Sequence, residues 1–100
     1  MIIIFDRKGL TELITVEADS LDGADLTAAN LQNANLVQFS LRNANLQNAN
    51  LQYADLRLAD FTNADLSGAN LNGAEIEGAV FTNTNLEGAL LPLTKTSRQE

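Results

Sequence analysis

The sequence predicts an all-β fold, a solenoid of very short extended segments with a turn every five residues and a β cap at its N-terminal end. Three observations predict it. From Gly23 to Leu91 one five-residue unit repeats without insertion, with centres at Leu26, Leu31, Leu36, Leu41, Leu46, Leu51, Leu56, Phe61, Leu66, Leu71, Ile76, Phe81, Leu86 and Leu91. Within most units an Ala stands two residues before the centre with a polar residue between, which is the two-residue period of a strand. Two residues after each centre from Leu21 to Leu86, fourteen positions hold Gly five times and Asn five times. Both residue types tolerate the positive φ that the third residue of a type II turn requires.

A helix is the competing reading, because Ala, Leu and Gln all favour one. A five-residue step on a helix advances by about 140° beyond a full turn, so the leucines would scatter around the cylinder instead of forming a stripe. The Asn and Gly load opposes a helix as well. Inward Ala and Leu with an outward residue between them is the arrangement that fits. The exceptions at the turn positions are Ala28, Gln38, Tyr53 and Leu58, where a different turn type is expected.

Taken in order, residues 1–20 stand outside the repeat. The apolar run Ile2 to Phe5, the turn Arg7-Lys8-Gly9 and the β-favouring stretch Leu10 to Val16 read as two strands joined by a turn. Ile14 and Val16 fit the repeat phase, but Asp6 and Thr11 at earlier centres do not, so the pattern fades between Leu21 and Val16. Repeat arrays need an atypical end unit to cover the open core, and this segment is the candidate cap. The array occupies 21–92, and 93–100 is expected to be a disordered, solvated tail.

The cleanest run, from Ala44 to Leu56, reads Ala-Asn-Leu-Gln-Asn, Ala-Asn-Leu-Gln-Tyr, Ala-Asp-Leu. Twelve of fourteen units have Ala two before the centre and ten have Asp or Asn one before it. This Ala-(Asp/Asn)-Leu-X-X signature resembles the pentapeptide repeat family over about 70 of the 100 residues. The resemblance implies a right-handed quadrilateral parallel β-helix with four units, hence 20 residues, per coil, and about three and a half coils here. On that count the first face stacks Leu26, Leu46, Leu66 and Leu86, and the second Leu31, Leu51, Leu71 and Leu91. The third stacks Leu36, Leu56 and Ile76, and the fourth Leu21, Leu41, Phe61 and Phe81. Coils one strand spacing apart, about 4.8 Å, give a rod roughly 17 Å long.

Departures from the pattern are the informative places. Phe39 takes an inward position that Ala usually holds, either filling space near the cap or lining a ligand pocket. Thr84 takes another, where its hydroxyl can bond to the backbone. Val80 and Leu90 replace the usual Asp or Asn, and Leu90, Leu91 and Leu93 cluster at the end of the array. The outward columns put Arg57 beside Glu77 and Asp22 beside Arg42, and they stack Asn43, Asn63 and Asn83 into a ladder of side-chain amides.

Composition bounds the function. The 100 residues make one domain with a formal charge of −7, no Cys and no His. Disulfides, thiolate metal sites and the commonest general base are thereby removed. Ser20, Ser40, Ser67 and Ser97 have no histidine to activate them, and the best carboxylate cluster, Asp55, Glu75 and Glu77 beside Arg57, reads as solvated charge with mild register support. No catalytic, cofactor-binding or metal-ligating residues are assigned, and no enzyme is expected. The acidic balance disfavours direct nucleic-acid or anionic-membrane binding and favours basic partners. The short apolar start, ending at Asp6, is unlike a signal peptide, and a cytoplasmic location is expected.

Two functions follow as expectations. One is a non-enzymatic scaffold or protein-interaction module that meets another protein through flat outer faces, with a homodimer or end-to-end contact through Leu90, Leu91 and Leu93. The other is an acidic DNA mimic that inhibits a DNA-binding enzyme such as gyrase, as some pentapeptide repeat proteins do in conferring quinolone resistance. Residues 22–91 carry eight carboxylates against two guanidiniums, a net −6. Duplex DNA of about 17 Å carries roughly ten phosphates. The second face, with Asn30, Gln32, Asn50, Gln52, Asn70 and Asn72, is essentially uncharged, so the charge does not wrap the rod evenly.

Overall fold

Short β-branched runs with a glycine between them form hairpins, and the chain begins with one. In the computed structural model, which describes residues 1–92, β1 (Ile2–Phe5) and β2 (Glu12–Val16) pair antiparallel with Ile3 opposite Thr15. Their connection is held by Asp6: its carboxylate accepts the N–H groups of Leu10 and Thr11 at 2.9 and 3.1 Å, and its carbonyl accepts that of Gly9, at φ 76°. The tail expected over 93–100, and Leu93 with it, lies outside the described residues.

Beyond the hairpin, the backbone winds as a ladder. Parallel bridges join residues twenty apart, from Asp25 with Asn45 to Asn70 with Leu90. A turn comes every five residues, so the chain makes four turns in each circuit of twenty. In every turn from Leu21 to Leu86 the residue after the corner donates its N–H to the centre's carbonyl, at 2.9–3.3 Å. The architecture is thus a strand-built solenoid, and no helix occurs among the described residues.

The turn chemistry differs from expectation at four places. Ala28, Gln38, Tyr53 and Leu58 adopt φ of 58–64°, the same left-handed conformation as the Asn and Gly corners. A non-glycine residue there costs about 1–2 kcal/mol. Two hydrogen bonds hold each in place: at Leu58 its N–H donates to Glu77 O at 3.0 Å, and the next N–H, on Ala59, donates to Leu56 O at 3.0 Å. At roughly 0.5–1.5 kcal/mol each, these offset the local preference. One turn geometry therefore serves the whole array.

The Asp or Asn before each centre has a task its outward position concealed. Its side-chain oxygen accepts the N–H two residues on, as Asn50 does from Gln52 at 3.0 Å and Asp65 from Ser67 at 3.0 Å. That N–H has no partner in the ladder, so the side chain closes an otherwise open backbone group. Four units lack the Asp or Asn, at Ser40, Glu75, Val80 and Leu90, and at two of them the chain compensates. Asp22 from the coil below accepts the Arg42 N–H in place of Ser40, and Leu90 precedes Pro92, which has no N–H to satisfy.

The core follows from this backbone. Leu31, Leu36, Leu41, Leu46, Leu51, Leu56, Phe61, Leu66 and Leu71 are fully buried, with the Ala residues of the same units between them. Each buried Leu is worth about 1.5–3 kcal/mol before entropy. Phe61 and Phe81 stack in the fourth column, ring centroids 5.4 Å apart and 7° from parallel. Thr84 bonds to the backbone as its inward hydroxyl allows, donating to Phe61 O at 2.7 Å. Phe39 is half-buried against the core.

At the N-terminal end the hairpin closes the coil, but not by continuing the repeat. Ile14 and Val16, in phase with the array, pair with β1 instead. It is the end of β1 that meets the first coil: Phe5 O accepts from Asn35 N and Arg7 N donates to Asn33 O, both at 2.8 Å, in an antiparallel bridge of Asp6 with Ala34. The tight turn after Asp6 sends the chain back on itself, and Ile4 becomes the fully buried plug while Ile2, Leu13, Ile14 and Val16 pack around it. Toward the other end burial fades through half-buried Ile76, Phe81 and Leu86 to Leu91, 52% exposed.

Candidate interaction surface

With the core and turns consuming the repeated residues, specificity is left to the outward columns. The second face carries amides only through its first three rows, and they bond to one another. Asn50 Nδ2 donates to Gln32 Oε1 at 3.3 Å, and Gln52 Nε2 donates to Asn50 Oδ1 at 3.1 Å. The third face, in contrast, concentrates charge. Arg57 forks onto Asp55 at 2.7 and 2.8 Å and lies 3.7 Å from Glu75. Arg7, delivered by the hairpin turn, donates to Glu75 at 2.8 Å and to Tyr53 O at 3.1 Å, and stands 4.0 Å from Asp55.

Asp55 is the one buried charged residue among the described residues, at 6% exposure. The hydrogen bond from Arg57 holds its carboxyl below the usual range against the opposing effect of burial. Around the corner, Asp60 is pulled down to about 2, first by the Thr62 hydroxyl and then by Arg42. Asp25 and Asp65 are lowered chiefly by the hydroxyls of Thr27 and Ser67. Acidity on this rod is therefore largely committed to turns and ion pairs.

Two ion pairs differ from the columns read off the sequence. Arg57 pairs with Asp55 and Glu75 and forms no ion pair with Glu77, and Arg42 pairs with Asp60 at 2.7 Å and not with Asp22. Asp22 already accepts the Ser40 hydroxyl at 2.6 Å and the Arg42 N–H at 3.1 Å, so the guanidinium leans diagonally to the next coil. The Asn43, Asn63, Asn83 ladder is also corrected: no hydrogen bond joins those side chains. They sit at corners with φ of 55–63°, and their contribution is that left-handed conformation.

The serines that lacked an activating base are used locally. Ser20 Oγ accepts from Asp22 N, and the hydroxyls of Ser40 and Ser67 donate to Asp22 and Asp65. Ser97 lies outside the described residues. Among the described residues no group of three or more carboxylates is placed to hold a metal ion.

Sequence reasoning missed the pair of residues that flank the charged third face. Tyr53 and Leu58 are 47% and 54% exposed, both at positive φ, on the two corners of one coil. Each leans over a glycine of the next coil: a Cβ on Gly73 would sit 2.5 Å from the Tyr53 ring, and one on Gly78 2.5 Å from Leu58 Cδ2. Their signal in the sequence was large side chains at corner positions that Gly and Asn otherwise dominate. Beside Leu58 runs a shallow groove of about 510 Å³ lined by Val37, Gln38, Arg57, Leu58, Glu77 and Gly78.

Comparisons with known proteins agree with this architecture. The family model for pentapeptide repeats matches residues 24–63 and 59–94. A pentapeptide repeat protein from Nostoc PCC 7120 is similar at 31% identity, covering 76% of this chain and 68% of its own, with a TM-score of 0.65. HetL, a pentapeptide repeat protein involved in heterocyst differentiation regulation in Nostoc sp. strain PCC 7120, is 33% identical over 72% of this chain and 40% of its own, TM-score 0.46. One from Cyanothece 51142 is 38% identical over 67% of this chain and 49% of its own, TM-score 0.40. This chain thus spans about two thirds of the first and under half of the other two. No curated protein sequence matches it. An unbroken five-residue period, buried Leu columns and a twenty-residue ladder, together with the family-model match and the first of these structures, make the chain a member of the pentapeptide repeat family.

Proposed function

We propose that this chain is a non-enzymatic scaffold, a right-handed four-sided rod of about three and a half coils whose flat faces meet another protein. The observation that carries the reading is the pairing of Tyr53 and Leu58. Each is a large, half-exposed side chain held at positive φ, and together they flank a face of pre-ordered charge. Strained, exposed side chains of this kind concentrate at functional surfaces, and aromatic and apolar anchors beside fixed ion pairs suit a protein partner. The partner is expected to be basic where it meets Glu75 and Glu77. A second contact, copy to copy, is proposed at the end of the array through Leu90, Leu91 and Leu93. The place of action proposed is the cytoplasm, in keeping with a chain that has no Cys.

Affinity capture from the native host tests the reading. A partner retained by the native chain should be lost with the Tyr53→Ser/Leu58→Asn variant and kept by Gln32→Ala/Gln52→Ala. Capture indifferent to both variants would contradict a role for this face. The acidic composition favours one alternative, a DNA mimic acting on an enzyme such as gyrase. Inhibition of supercoiling that weakens with salt would support it, and no effect at micromolar protein would remove it. Weighing against mimicry are the neutral amides of the second face and the engagement of Asp55 and Asp60 by arginines.

A further inference from the structure

Of the asparagines in the described chain, ten are followed by a backbone N–H that donates a hydrogen bond of 2.7–3.3 Å to the turn or the ladder. Asn72 and Asn85 are the two whose following N–H has no acceptor among the described residues. Asn85 is followed by Leu86, and its Oδ1 is engaged by the Glu87 N–H at 3.0 Å. Asn72 is followed by Gly73, and among the described residues no hydrogen bond holds its side-chain amide. The ladder rule would hand the Gly73 N–H to the Pro92 carbonyl, as Gly68 N–H goes to Glu87 O at 2.9 Å, but that bond is not formed. Asn72-Gly73 is also the sole Asn-Gly pair in the sequence, and both residues are exposed.

We propose that Asn72 is a deamidation site built into the last complete coil, a modification that adds charge to the neutral second face as the protein ages. The Gly73 nitrogen, its proton taken by solvent base, attacks Asn72 Cγ. A C–N bond forms, the Cγ–Nδ2 bond breaks, and ammonia leaves with a proton from water, giving a five-membered cyclic imide. One water then opens the ring. Cleavage of the new N–Cγ bond gives aspartate with the chain restored, and cleavage of the original peptide bond gives isoaspartate, with the chain rerouted through Cγ.

A hydrogen-bonded N–H must first lose its partner to react, and a side chain on the attacking residue crowds the approach. Among the described residues Gly73 meets neither obstacle. The aspartate product moves the net charge from −7 to −8 and places it on the face of Asn70 and Gln52. The isoaspartate product inserts a methylene into a corner where Asn72 O accepts the Tyr53 N–H at 3.1 Å, and so loosens the coil edge under the Tyr53 ring.

The test is timed incubation of the full chain at mildly alkaline pH, read by intact mass, peptide fragmentation and isoaspartyl methyltransferase labelling. Asn72 is expected to convert first, to both aspartate and isoaspartate, with Asn85 well behind and the ten bonded asparagines later still. Asn72→Gln, which leaves the turn intact, should lose the first acidic shift on ion exchange. Conversion that begins at Asn85 or at a bonded asparagine would overturn the proposal. So would a native chain inert at Asn72 while a free peptide of residues 69–76 converts.

Discussion

Replacing Leu51 by Ala probes the stacked core where it is most constrained. Leu51 is fully buried, between Leu31 and Leu71 in the second column. The loss of three carbons removes about 2.4 kcal/mol of transfer free energy at ~0.8 per methylene. The void left behind cannot close easily, because backbone bonds of 2.8 Å from Leu31 N to Asn50 O and from Leu51 N to Asn70 O fix the coil spacing above and below. The total should therefore fall at about 3–4 kcal/mol, in the upper part of the range for such truncations. Leu86→Ala, at a half-buried position near the end of the array, should cost about 1–2 kcal/mol, since fewer contacts are lost and the site can relax. Urea titration with linear extrapolation measures both, and an unchanged slope would certify the comparison. Equal costs at the two positions, or a cost at Leu51 below about 1 kcal/mol, would refute the column reasoning.

Other consequences are as direct. Gly73→Ala forces a Cβ onto the Tyr53 ring at φ 75° and should cost about 1–2 kcal/mol or more, read by thermal melting. Asn50→Ala removes the acceptor for the Gln52 N–H and should cost about 1–3 kcal/mol, whereas Asn50→Asp, which keeps the acceptor, should be nearly neutral by the same assay. Acid should destabilise the rod in a defined window. The carboxylates of Asp25, Asp55, Asp60 and Asp65 are favoured in the folded state, so their contribution is complete above the unfolded value of 3.8 and is lost as pH falls through the folded values, down to about 2 for Asp60. The melting temperature should drop between about pH 4 and 2, and Asp60→Asn, which can still accept from Thr62, should shallow that drop. A melting curve insensitive to acid across the window would contradict the assignment.

Much of the fold was legible because the repeat writes its own constraints. The centres, the inward Ala residues and the corner positions follow from a two-residue period inside a five-residue one. What stayed hidden depended on choices between near-equal partners. Leu58 and Tyr53 take positive φ because ladder bonds outweigh a local preference of about 1–2 kcal/mol, a balance no propensity could supply. The arginines were placed in the right neighbourhood but given the wrong carboxylates, since Asp22 was already occupied by Ser40 and the Arg42 backbone. The Asn and Asp before each centre read from the sequence only as outward residues, and in the structure they close the turns. Ile14 and Val16 carried the right phase, yet the turn at Asp6 to Gly9 folded them back onto β1. Arg7 could not be linked to Asp55 and Glu75 at all, because their meeting depends on where the hairpin docks.

The central claim is that residues twenty apart lie side by side in adjacent coils, and a cross-linking pair tests it most directly. The sequence has no cysteine, so introduced thiols report without interference. Gln32 and Gln52 occupy one outward column, about 4.8 Å apart by strand spacing, within the span a disulfide bridges. Gln32→Cys/Gln52→Cys should oxidise to an intramolecular disulfide with the fold retained, and Gln32→Cys/Gln47→Cys, on different faces, should not. A bridge in the second pair, or none in the first, would contradict the twenty-residue ladder.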